Sequence, residues 1–162
     1  MSCKNCKSRS LKKIINIGKQ PISSHFYKKK MRNLRNYSLD LYICKKCELI
    51  QFKTLPKLNQ MYGLNYGYRT SLSQLMINHM KKKYLSLKKD LSKKNCNILD
   101  IGCNDGTFLN FFGKKGYANL YGIDPSAKKF IEFHHKNIKL ANNFFSLNNV
   151  YKNFDKISFD LI

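Results

Sequence analysis

Two cysteine pairs constrain this chain more than anything else in it: Cys3-Lys4-Asn5-Cys6 and Cys44-Lys45-Lys46-Cys47. A Cys-x-x-Cys turn presents two thiolates from one tight knuckle. Two knuckles on neighbouring strands close the tetrahedral shell that zinc requires, with each sulfur about 2.3 Å from the metal. The spacer, residues 7–43, is longer than in the shortest zinc motifs, but it carries strand-like runs at 11–17 and 39–43. Lysines in and beside the knuckles offset the charge of four thiolates and favour their ionisation. A metal with four protein ligands has no open position, so zinc at Cys3, Cys6, Cys44 and Cys47 is expected to hold the fold rather than do chemistry. Two other readings of the pairs stand beside this one: a redox dithiol, expected near a βαβ pattern, and thiols buried together by coincidence.

Zinc thiolates need a reducing compartment, and the composition agrees. The first six residues lack the apolar stretch of a signal peptide, and no run of about 18 apolar residues could span a bilayer. A cytoplasmic protein with no membrane partner is expected. With 162 residues, 43% hydrophobic and 13% aromatic, the chain can bury a core; it has room for one ordinary domain, or for a small module joined to part of a larger one. The net charge of +22, from 31 Lys and Arg against 9 Asp and Glu, raises nucleic acid as a partner, because neutralised phosphates release counterions. The lysines are spread along the whole chain, however, and arginine, which base-reading interfaces favour, is scarce. The abundance of Lys, Asn, Ile, Phe and Tyr, whose codons are rich in A and T, makes genome composition the simpler source of the charge.

Residues 53–62, with Pro56 among them, read as a connector that closes a zinc-binding part at 1–62. The stretch 63–95 then carries the aromatic run "NYGYRTS" and a long helix. Ser71 and Gln74 have the spacing of a capping box, and Leu72, Leu75, Met76, Met80, Tyr84, Leu87 and Leu91 recur at helical intervals. That stripe is expected to pack, His79 with it, while the lysines face solvent; Asn95 suits the stop.

From residue 96 strands and helices alternate. Residues 97–101 form a buried-type strand, 102–106 a turn and 107–112 the start of a helix. A second strand, 119–123, ends at Asp124-Pro125-Ser126; 127–136 read as a helix, and 138–140 and 159–162 as further strands. Such alternation gives a parallel sheet with right-handed crossovers and ligands at the carboxyl ends of the strands, where Gly102 and Asp124 lie. The loop Gly102-Cys103-Asn104-Asp105-Gly106 is not Gly-x-Gly-x-x-Gly, and no Gly-Lys-Ser/Thr is present, so dinucleotide and triphosphate fit poorly. An acidic turn repels phosphate but suits a ligand with a cation and an amino group. Asp124 follows at about the distance from which a carboxylate grips ribose hydroxyls in dinucleotide folds. Adenosine without phosphate, joined to a sulfonium and an ammonium, is S-adenosylmethionine (SAM). The plainer alternative is that the glycines only make a tight turn.

In order, "CKNC", "GKQPISSHF", "LDLYICKKCELIQF", "NYGYRTSLSQ", "LDIGCNDGTFL" and "YGIDPS" resemble the sugar C-methyltransferases that make branched deoxysugars, over nearly the whole chain. The resemblance implies an α/β chain: a small zinc-ribbon-like N-terminal domain, then the first half of a Rossmann-like class I methyltransferase parallel sheet at 96–162. It also implies zinc at the four cysteines above and SAM around Asp100, Gly102, Cys103, Asn104, Asp105, Gly106 and Asp124. Tyr66 and Tyr68 match a segment that lines the active site in that family; ordinary core packing is the alternative for them. The acceptor would be a nucleotide-linked ketosugar.

Methylating a carbon beside a ketone requires a positioned general base to form an enolate. None of His25, His79, His134 and His135 matches a base motif, and His134 and His135 are expected on the surface of an outer crossover helix. Family members continue past the strand at 159–162 with the rest of the sheet, histidine- and glutamate-bearing segments and a further domain. The expectation is therefore the N-terminal part of a truncated or split C-methyltransferase, inactive alone, with a second chain carrying the C-terminal half as the partner to look for. Two other functions stay open: a nucleic-acid-binding zinc-ribbon protein whose α/β part is a scaffold, and an RNA methyltransferase.

Overall fold

The computed structural model describes residues 1–23, 29–30, 33–62, 66–91 and 93–162; His25 and Asn65, named above, lie outside the described residues. The chain divides into two compact units, Met1–Met61 and Tyr62–Ile162.

In the first unit, β1 (Leu11–Gln20), β2 (Tyr37–Cys44) and β3 (Ile50–Phe52) form an antiparallel sheet in that order, followed by the single turn α1 (Leu58–Met61). β1 is exposed along almost its whole length, Ile14, Ile15 and Ile17 included. The buried apolar residues described in this unit are Cys3 and Cys44, joined by polar Asp40 and Gln51. Asp40 accepts from Lys13 Nζ at 2.7 Å and from Ser38 Oγ at 2.7 Å. These two bonds, Lys13's first, hold its carboxyl below the usual carboxylate range. A unit with so little apolar burial needs a staple, and the cysteine cluster sits where a core would be.

The second unit is built on three parallel strands, β4 (Ile98–Ile101), β5 (Leu120–Ile123) and β6 (Ile138–Ala141), in register from Ile98–Leu120–Ile138 to Ile101–Ile123–Ala141. Residues alternate between the faces of the sheet. On one face Ile98 and Leu120 pack with Tyr84 of α2 (Gln74–Leu87) and with Leu109 and Phe112 of α3 (Thr107–Gly113). On the other, Leu99, Tyr121 and Ile123 pack with Val150 and Phe154 of α4 (Leu147–Phe154). Leu161 makes an isolated parallel bridge to Ile98, and the Leu99 N–H donates to the Leu161 carbonyl at 2.9 Å. The run 159–162 thus contributes a bridge beside β4 where a full strand was expected.

Several local expectations are corrected. Ser71 does not cap α2. It lies in a short 3₁₀ turn, Thr70–Leu72, and Ser73 is the N-cap, its Oγ accepting from Met76 N at 3.4 Å. Leu72 and Leu75 are 70% and 78% exposed, and His79 is exposed rather than packed. The first turn therefore stands off the core, and only further along does Tyr84 bury its ring against Phe112, centroids 4.8 Å apart. The helix stops at Leu87, although Leu91 still packs on the core. The expected helix at 127–136 is a pair of 3₁₀ turns, Ala127–Phe133, kinked at Phe130. Asp124 Oδ1 accepts from both the N–H and the Oγ of Ser126, at 2.6 Å each, a local bond that competes with regular helix. No described helix is long and apolar enough to cross a membrane.

Candidate functional site

The two cysteine knuckles are copies of one local structure. Cys3 N donates to Ser8 O, and Lys7 N returns to Cys3 O. Cys44 N donates to Leu49 O, and Glu48 N returns to Cys44 O. Lys7 and Glu48 both adopt positive φ, 62° and 60°. β2 ends at Cys44, and pairing of Leu11 with Cys44 brings the knuckles together. All four Sγ atoms lie within 4.8 Å of one another, with Cys3–Cys47 at 3.5 Å and Cys6–Cys44 at 3.6 Å. Thiolates about 2.3 Å from a tetrahedral metal are about 3.8 Å apart, so the cluster has the size of a zinc shell. No disulfide joins them.

The thiols do not ionise alike. The Leu49 backbone, and then the Cys6 thiol, pull Cys47 down to about 6. At Cys44 burial works upward, but the backbone N–H groups of Cys47 and Lys46 outweigh it. Cys6 goes the other way, to about 11: the Ser8 backbone favours its thiolate, but burial and the three neighbouring thiols prevail. Four adjacent thiolates repel one another unless a cation sits among them. The donor set therefore fits zinc, as a closed structural site.

At the carboxyl edge of the second unit's sheet, Gly102 and Asn104 take positive φ, 79° and 48°, and Gly106 follows at 72°. The carboxylate of Asp105 is turned away from ligand: Oδ1 accepts from Thr107 N and Oγ1, Oδ2 from Ser71 N at 2.8 Å, and the residue is 1% exposed. Burial raises this acid, but the Thr107 and Ser71 bonds outweigh it and hold it ionised. Asn104 works in the same direction. Its Oδ1 accepts from Thr70 N at 2.9 Å and Thr70 Oγ1 at 3.2 Å, and its Nδ2 donates to Tyr68 O at 3.1 Å. The acidic turn thus clamps residues 68–71 onto the loop. Gly106 is covered by His134, whose Cδ2 lies 2.5 Å from where a Cβ would be. His134 and His135 are half-buried, not on the surface; His134 Nδ1 donates to Phe130 O at 2.9 Å. Cys103 is buried with its thiol against Gly122, and burial, then the charges of Asp100 and Asp124, push that thiol far up.

Two cavities open on this loop and share Gly102, Thr70 and Met80. The larger, about 420 Å³, has Asp124 at the end of β5, the tyrosines 62, 66 and 68, and Phe144 and Phe145 beyond β6. The smaller, about 230 Å³, has Asp100 at the end of β4, with Thr107 and Phe108 of α3 and Lys83 of α2. Asp124 is fixed by Ser126 on Oδ1 and by Asn104 N on Oδ2 at 3.1 Å. Burial, then the charge of Asp124, raises Asp100 to about 6, with Lys83 opposing. Tyr62 and Tyr66 have ring centroids 5.3 Å apart, Tyr66 and Tyr68 6.3 Å. Burial, then Tyr62, keeps the Tyr66 phenol above its ordinary value, hence protonated.

The loop reading thus resolves residue by residue. Asp100, Gly102, Cys103, Asn104 and Asp124 line the cavities, whereas Asp105 and Gly106 shape the loop from behind. Sequence reasoning missed Tyr62, Lys83, Phe144 and Phe145. The phenylalanines follow the carboxyl end of β6, where ligands of such sheets gather, and that position was their signal. Among the described residues, the larger cavity's lining has an acid, aromatic rings and no lysine or arginine. That set fits a nucleoside better than a phosphate. A second, smaller cavity with its own acid, meeting the first at Gly102, fits an amino-acid extension. These features suit SAM.

A family described as "Putative zinc binding domain" matches residues 3–62. No curated protein matches the chain. A family described as a methyltransferase domain matches residues 76–162, more than half of the chain, and this protein belongs to that methyltransferase family.

Proposed function

We propose that this SAM-dependent methyltransferase transfers the methyl group to a carbon of a nucleotide-linked ketosugar, using a Rossmann-like sheet. The sheet reading rests on strand order. β6, β5 and β4 are followed by the bridge at Leu161 on the free side of β4, which is the 3-2-1-4 order of a doubly wound sheet. The acceptor reading rests on the clamp of residues 68–71 to the cofactor loop. It fixes Tyr68 beside the larger cavity, which Tyr66 also lines, in a segment whose sequence resembles the sugar C-methyltransferases.

Bound SAM supplies an electrophilic methyl group. The chain's own residues bind and orient: Asp124 receives ribose hydroxyls, the aromatic walls exclude water from the adenine, and Asn104 holds the Tyr68 backbone. A protonated Tyr66 suits donation to a ketone oxygen, which acidifies the neighbouring C–H; the base that takes this proton is the one expected from the C-terminal half.

The test is methyl transfer from labelled SAM, by the chain alone and with a second chain carrying the C-terminal half, to a nucleotide-linked 4-ketosugar, to the same sugar reduced to the alcohol, and to RNA. Label in the ketosugar alone is the expected result. Equal label in the alcohol would overturn carbon methylation, and label in RNA would favour the reading that the +22 charge supports.

A further inference from the structure

We propose that the amino end of the second unit's sheet is a docking face for the phosphate backbone of a single-stranded nucleic acid, on the side away from the cofactor loop.

α2 precedes β4, and α3 joins β4 to β5, so both helices run antiparallel to the strands and bring their carboxyl ends to the amino end of the sheet. Lys88 is the C-cap of α2 and Lys114 the C-cap of α3. Each is followed by a second lysine, Lys89 and Lys115, and the connection from α2 to β4 adds Lys93 and Lys94. All six are exposed, and among the described residues none of them forms an ion pair. Packing gathers the three pairs onto one surface. Lys88 Nζ lies over the Tyr84 ring, 5.6 Å from its centroid; Tyr84 packs on Phe112, and Phe112 on Tyr117. The Lys94 carbonyl accepts from Ala118 N at 3.2 Å, and Lys94 Nζ lies 3.8 Å from where a Cβ on Gly116 would be.

Codon composition explains how many lysines the chain has, but not where they gather. A cation at a helix carboxyl end complements the dipole, which accounts for Lys88 and Lys114 and leaves four lysines over. The acids are sorted the other way, with Asp100, Asp105 and Asp124 around the carboxyl ends of β4 and β5. At the amino end, Asp90 follows Lys89, and Asp160 accepts from Asn97 N at 2.7 Å. A protein partner would need an apolar centre to the patch, and a membrane surface an apolar side chain to insert. Among the described residues of 88–97 and 114–119, no large apolar side chain is exposed. Amides stand among the lysines instead: Asn119 Nδ2 donates to the Asn95 carbonyl at 2.8 Å. A polar, strongly basic face suits phosphate and sugar. These stretches hold no arginine to fork onto a base edge, so the binding is to backbone and independent of sequence.

The experiment measures binding of fluorescent poly(U) and poly(dT) oligomers to the zinc-loaded chain across a salt series. The test variant carries Lys93→Gln, Lys94→Gln, Lys114→Gln and Lys115→Gln. A control of the same net charge carries Lys12→Gln, Lys57→Gln, Lys81→Gln and Lys82→Gln, exposed lysines elsewhere. Wild type is expected to bind both oligomers, with affinity falling steeply as salt rises. In about 0.1 M salt the test variant should bind about tenfold more weakly or worse. Its slope of log affinity against log salt should be shallower by roughly 3, since each single-strand phosphate contact contributes about 0.7. The control should lose less than about threefold, and arginine at the four test positions should keep the wild-type affinity. Equal losses in test variant and control would return the charge to codon composition and overturn the proposal. So would loss of binding with the four arginines, or no binding of either oligomer by wild type. Retention of wild type on phosphatidylserine vesicles but not by the oligomers would assign the face to a membrane and overturn it equally.

Discussion

At the scale of single residues, the two glycines of the cofactor loop do different work. A Cβ at Gly102 meets nothing within 4 Å, whereas one at Gly106 lies 2.5 Å from the His134 ring. Both need left-handed backbone, at a cost of roughly 1–2 kcal/mol for any other residue. Gly102→Ala should therefore cost about that and no more, while Gly106→Ala adds a clash with a half-buried imidazole and should melt clearly lower. Equal melting temperatures would contradict the contact.

Asp100 makes a pH prediction. Burial raises its folded pKa to about 6, above the ordinary carboxylate range, so folding favours the protonated acid. The stability it gives is present below the unfolded value and is lost as pH rises through about 6. Asp100→Asn should thus raise the melting temperature of ligand-free protein more at pH 8 than at pH 5, while weakening S-adenosylhomocysteine. A variant stabilised equally at both pH values would show that burial does not strain this acid.

Among elements, the clamp at Asn104 is the joint that matters most for function. It ties Tyr68 and Thr70 to a loop more than thirty residues away in sequence, with both ends of its amide in use. Asn104→Ala leaves the Thr70 N–H and the Tyr68 carbonyl short of partners, a loss of about 1–3 kcal/mol. Amide exchange should quicken at residues 66–72 while β4 and β5 stay protected. The methyl acceptor's KM should rise more than that of SAM. A uniform quickening over the whole unit would instead make Asn104 part of the general fold.

The sequence foretold strands β4, β5 and β6 because short apolar runs bounded by turn residues leave few alternatives. It also led to Gly102 and Asp124, which strand ends made conspicuous. What escaped it was relational. Ser71 and Ser73 both resemble caps, and only the bond from Ser71 N to Asp105 decides between them. The periodicity of Leu72 and Leu75 matched that of Tyr84, but periodicity does not say how far a helix reaches over its sheet. α4 carried an ordinary signal, Ser146 before Leu147, Val150 and Phe154, in a stretch between two apolar runs to which no element was assigned.

For the molecule as a whole, the two units differ in what holds them. The Tyr62–Ile162 unit has apolar clusters on both faces of its sheet. The Met1–Met61 unit has, among its described residues, only Cys3 and Cys44 as buried apolar side chains, with its longest strand almost wholly in water. Metal binding must therefore supply most of its folding free energy, and structural zinc in small fingers is worth about 10–16 kcal/mol. Purified under reducing conditions, the chain should carry one zinc. A strong chelator should abolish the protection of β1, β2 and β3 against amide exchange. The strands β4 to β6 should stay protected, and S-adenosylhomocysteine affinity should change by less than about threefold, a shift of under about 1 kcal/mol. Cys44→Ser should reproduce the chelated state, since it removes a buried ligand at the end of β2, whereas Cys96→Ser, not one of the four clustered cysteines, should not. Collapse of both units together on chelation would show that the metal supports the whole chain, and persistence of β1–β3 protection without metal would show that hydrogen bonds such as Lys13–Asp40 suffice to hold the sheet.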